Sequence, residues 1–70
     1  MDDTERLGYR TLFDATMKHI EKTEEFLRVL EAAPRNAIRD RMLETIHREL
    51  ARLRDEADEL EPLGWDSGTA

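Results

Sequence analysis

Cysteine is absent from the 70-residue chain, which excludes disulfides and thiolate zinc sites as the means of holding it together. Glycine occurs only at Gly8, Gly64 and Gly68, so no Gly-rich phosphate loop can be written. The one serine, Ser67, stands three residues from the end and gives a Ser-His-acid triad no rigid frame. No apolar run approaches the ~20 residues that span a bilayer. The first residues, MDDTER, are acidic where a secretion signal needs basic ones. Catalysis and a cofactor are therefore not expected, and the expected compartment is the cytoplasm.

Aromatic residues make up 6% of the chain and charged ones 40%, with a net charge of −6. High charge with few aromatics also describes disordered chains. Hydrophobic periodicity decides against that. From Ala37 to Leu60 there is no Gly or Pro, and Leu43, Ile46, Leu50, Leu53, Ala57 and Leu60 recur at alternating steps of three and four. Only a helix lines up side chains at that spacing. Upstream, Tyr9, Phe13, Thr16, Ile20, Thr23, Leu27 and Leu30 repeat the pattern. The threonines make that seam poorer, and their hydroxyls are expected to bond back to their own helix.

The two periodic stretches are separated by Glu31-Ala-Ala-Pro-Arg-Asn36. Pro34 cannot continue a helix from upstream, but it suits the first position of a new one, and Asn36 is an alternative cap. The reading is an all-α antiparallel hairpin over residues 1–62. Its first helix covers about 4–32, its turn about 33–36 and its second helix about 37–61. Asp2 and Asp3 are candidate caps for the first helix, and Thr11 offers a second possible start. Pro62 is expected to end the second helix, leaving 63–70 as a tail. Within that tail, Leu63 and Trp65 are expected to fold back near Leu7 and Tyr9 as a lid.

A chain this short buries only about 60% of its unfolded surface alone. Without disulfides, oligomerisation is the available remedy, and a homodimer forming a four-helix bundle is expected. Phe26, Val29, Ile38 and Met42 lie off the seams near the turn, where a single hairpin leaves them uncovered. Together with Arg39 they form the composition that interfaces enrich. They are the candidate protein-binding residues of a small non-catalytic adaptor, inhibitor or regulator. The partner's identity is not legible.

Two other chemistries have candidate residues. Glu44-Thr-Ile-His47 has the i, i+3 spacing found in carboxylate-bridged di-iron bundles of the ferritin-like kind. Glu24 should lie about level with Glu44, so Glu24, Glu44 and His47 are the candidate metal ligands. Charge suggests the other. Between Arg28 and Arg54 there are seven arginines and four acidic residues, so the stretch is +3 and the remainder of the chain −9. Arg35, Arg39 and Arg41 crowd the turn and are the candidate nucleic-acid contacts. The acidic remainder opposes a phosphate backbone at long range.

Overall fold

In the computed structural model, which describes residues 2–65, the chain is a pair of antiparallel helices with no strand among the described residues: α1, Asp3–Ala32, and α2, Ala37–Gly64. They form a rod 51 Å long and 15 Å across. The seams meet along its length. Ile20 and Leu30 of α1 and Ile46, Leu50, Leu53 and Ala57 of α2 are buried, with Phe13, Leu27 and Leu43 packed against them. Thr16, at the weak point of the α1 seam, donates its hydroxyl to the Leu12 carbonyl at 2.9 Å. That bond removes the need for a partner across the core.

The helix ends explain their own positions. Asp2 is extended, and its carboxylate accepts from the Glu5 N–H at 2.8 Å, so α1 begins at Asp3. Asp3 and Glu5 complement the positive end of the helix. Gly8 costs about 1 kcal/mol against Ala without interrupting the helix. Thr11 starts no second helix; its hydroxyl donates to the Leu7 carbonyl at 3.0 Å. At α2 the cap is Asn36, whose Oδ1 accepts from the Arg39 N–H at 2.8 Å. Pro34 therefore lies in the linker between the helices, not at the first helical position expected for it.

Pro62 does not end α2 either; the helix continues to Gly64. A proline this close to the end withholds its N–H from one carbonyl only, that of the exposed Asp58, where water can serve instead. The Trp65 N–H then donates to the Glu61 carbonyl at 3.0 Å and closes the last turn. Of the expected tail, residues 63 and 64 are helical, and 66–70 lie outside the described residues.

Neither helix has a basic residue in its own last turn. Each borrows one from the other. At the turn, Arg39 of α2 donates Nε to the Leu30 carbonyl at 2.7 Å and Nη2 to the Glu31 carbonyl at 3.0 Å. At the open end, Arg10 of α1 donates Nε to the Gly64 carbonyl at 2.7 Å. Both guanidinium groups sit where unpaired carbonyls concentrate negative potential. These two reciprocal caps fix how far one helix slides along the other. Gly64 is buried beneath Arg10, and a Cβ there would lie 3.2 Å from the Arg10 backbone nitrogen.

At the open end Trp65 alone folds back on the hairpin, and it stays 44% exposed there. Its ring meets Phe13 edge-on, with centroids 4.9 Å apart and planes at 75°, and the Arg10 guanidinium carbon lies 5.4 Å from the ring centre. The contact is one turn further into the hairpin than the expected position near Leu7 and Tyr9. Leu63 takes no part in it and turns to another side of the rod, beside Leu12 and Leu60.

Candidate functional site

With the seams facing each other, the rod has two open sides, and they differ in chemistry. On one side stand Glu21, Glu24 and Arg28 of α1 with Glu44, His47, Ala51, Arg54, Asp58 and Glu61 of α2, all at three-four spacing. The large exposed apolar residues on this side, Leu7, Met17 and Trp65, all lie toward the open end. Glu24 and Arg54 bridge the two helices there at 2.9 Å. This is a solvated, salt-bridged face.

The other side is built differently. Along α1 it runs through Leu12, Thr16, His19, Thr23 and Phe26. Along α2 it runs through Ile38, Met42, Thr45, Glu49, Arg52, Glu56, Glu59 and Leu63, again at alternating steps of three and four. At the turn end, Phe26 is 44% exposed, Val29 63%, Ile38 71% and Met42 37%. Phe26 and Met42 line one groove with Arg41, Thr45 and Ile46. At the open end a second groove is lined by Leu12, Leu60 and Leu63 with Glu56 and Glu59. This side is therefore apolar at both ends.

Its middle is charged. Arg52 is held between Glu49 and Glu56 on the α2 surface. The hydrogen bond from Arg52 keeps the Glu49 carboxyl below the usual carboxylate range, and the charges of Arg52 and His19 act in the same direction. The same hydrogen bond raises Arg52 above its ordinary value. His19, Thr23 and Phe26 of α1 and Thr45 and Glu49 of α2 border one depression that joins this charged middle to the turn-end apolar patch.

Four of the five candidate protein-binding residues, Phe26, Val29, Ile38 and Met42, fall on this one side. Arg39 does not belong with them. Its side chain is 13% exposed and its donors are engaged by the Leu30 and Glu31 carbonyls and by Asp40. It holds the turn together and presents no free cation to a partner. The same engagement removes Arg39 from the nucleic-acid trio, leaving Arg35 and Arg41 exposed without it.

The three candidate metal ligands do not assemble. Glu24 reaches across to Arg54, ten positions beyond Glu44, while Glu44 pairs with Arg48 of its own helix at 3.7 Å. Both carboxylates already have cationic partners, and their side of the rod faces solvent. Among the described residues no group of three His, Cys, Asp or Glu side chains is placed to hold a metal ion. Also among the described residues, no helix is long and apolar enough to cross a membrane.

Sequence reasoning did not find the open-end groove. Its signal was present, because Leu63 continues the three-four series from Ile38, but ending the second helix at Pro62 removed Leu63 from the helix. No family model matches this chain, and neither a curated protein nor a solved structure matches it.

Proposed function

We propose that this chain is a small non-catalytic protein-binding module, an adaptor, inhibitor or regulator working in the cytoplasm, whose docking surface is the side of the hairpin bearing Phe26, Val29, Ile38 and Met42. The observation that supports it is the contrast between the two open sides. Toward the turn the contrast is sharp: one side there is charged, and the other carries a cluster of large apolar side chains beside Arg41. Surface apolar residues scattered singly need no explanation, whereas a contiguous cluster with a polar rim marks an interaction surface. A hairpin this thin also lacks the second layer that an all-α domain uses to cover such a side. Two hairpins joined through it would make a four-helix bundle, and a homodimer is the assembly we infer for the chain by itself.

The test uses Met42→Glu, which places a charge in the groove beside Phe26 while leaving the seams intact. Light scattering across a dilution series should show a wild-type complex that the variant loses, with circular dichroism showing the same helix content in both. A variant that assembles as the wild type does would remove this side as the docking surface.

A further inference from the structure

Resting on that reading, we infer that the occupant of this side is a second copy of the chain, turned end for end, so that each turn lies over the other copy's open end. The two-fold axis crosses the rod at its midpoint, with α1 facing α1 and α2 facing α2. The α2 series is symmetric about the gap between Leu50 and Ala51. In this arrangement Ile38 of one copy meets Leu63 of the other, Met42 meets Glu59, and Glu49 meets Arg52. In the α1 series the same operation, centred on His19, brings Leu12 of one copy to Phe26 of the other and sets Thr16 opposite Lys22. The two centres lie at the same level of the rod, since His19 borders Glu49 across the hairpin. One operation therefore superposes the α2 stripe on itself and exchanges the two apolar ends of the α1 stripe, Leu12 and Phe26.

Charge selects this orientation over the one with both turns at the same end. The turn-end groove contains Arg41, and the open-end groove contains Glu56 and Glu59. End-for-end pairing sets the basic groove against the acidic one. It also gives Glu49 the other copy's Arg52 in addition to its own. Turns together would set basic end on basic end and acidic end on acidic end, and like-charge juxtaposition is among the strongest devices against a wrong pairing. The side is long enough for the purpose. A strip 51 Å by 15 Å offers on the order of 800 Å² per copy, the scale of a standard stable interface.

The absence of cysteine makes the orientation directly readable. A full-length Ile38→Cys chain is mixed with a Leu63→Cys chain, and separately with a Val29→Cys chain, then treated with a short bismaleimide. End-for-end pairing yields covalent 38–63 dimers in preference to 38–29 dimers; pairing with turns together yields the reverse and would overturn the orientation while leaving the dimer standing. As a second measurement, Leu63→Glu should raise the dimer dissociation constant tenfold or more with helix content unchanged. An unchanged constant would exclude the open end from the interface. A wild-type chain that stays monomeric through the dilution series would remove the dimer itself, and this inference with it, without touching docking to a different protein.

Discussion

At the residue scale, the two glycines inside helices have opposite meanings. A Cβ on Gly8 would meet nothing within 4 Å, whereas on Gly64 it would press on Arg10. Gly8→Ala should therefore raise stability by roughly 0.5–1 kcal/mol, the ordinary helix gain. Gly64→Ala should lose that gain to the overlap and weaken the Arg10 cap. Thermal melts at a low, fixed protein concentration would compare them, and equal effects would show that the close approach at Gly64 has no energetic weight. Arg39 makes a second contrast. Arg39→Ala strips the Glu31 carbonyl of its side-chain donor, leaves the Leu30 carbonyl with the Ala33 N–H alone, and should cost about 1–3 kcal/mol, the range for hydrogen bonds to a charged group. Exposed Arg41→Ala should change monomer stability by less than about 0.5 kcal/mol. Urea unfolding followed by circular dichroism would separate them. Nothing in the sequence distinguishes these arginines, because a cap across a turn depends on where the facing helix ends.

Among elements, α2 is the one on which folding depends. Leu50 and Leu53 are its most buried side chains, and Leu50→Ala should cost about 2–5 kcal/mol, enough to unfold a chain with so small a core. Loss of the circular dichroism helix signal would show it, in contrast to Met42→Glu. Glu49 makes one small, solvent-screened contribution to the acid sensitivity of α2. Its carboxyl is held below its ordinary 4.5 in the folded chain, so between those two values the unfolded chain binds the extra proton. The stabilisation is complete above about pH 4.5 and is lost as pH falls through the lowered value. Glu49→Gln should flatten that part of the melting-temperature profile. Both helices and the hairpin were legible in the sequence because the three-four period survives a charged background. Their ends were less so. Pro34 and Pro62 signal breaks, yet the boundary residues are decided by Asn36, by Trp65 and by which carbonyls water can reach.

For the molecule as a whole, the arrangement of charge and apolar surface matters more than any one contact. The turn end is basic and the open end acidic, and one long side carries oily patches at both ends. A melting temperature that rises with protein concentration is the expected outcome of association through that side. Added salt should weaken the association, since screening acts on the pairing of unlike ends. Insensitivity to both would leave the hairpin self-sufficient. The four apolar residues of the turn-end patch were legible before the fold was, because they fall outside a seam that is already complete. The matching patch at the other end was not, because seeing it requires knowing that α2 runs on to Gly64.

The reciprocal arginine caps have a consequence for the two halves of the chain. Cut between Arg35 and Asn36, each piece would retain its own starting residues but lose the cation that quiets its final carbonyls. Synthesised separately, both peptides should be largely coil in water, and mixing them in equal amounts should restore helix, each supplying the ending the other lacks.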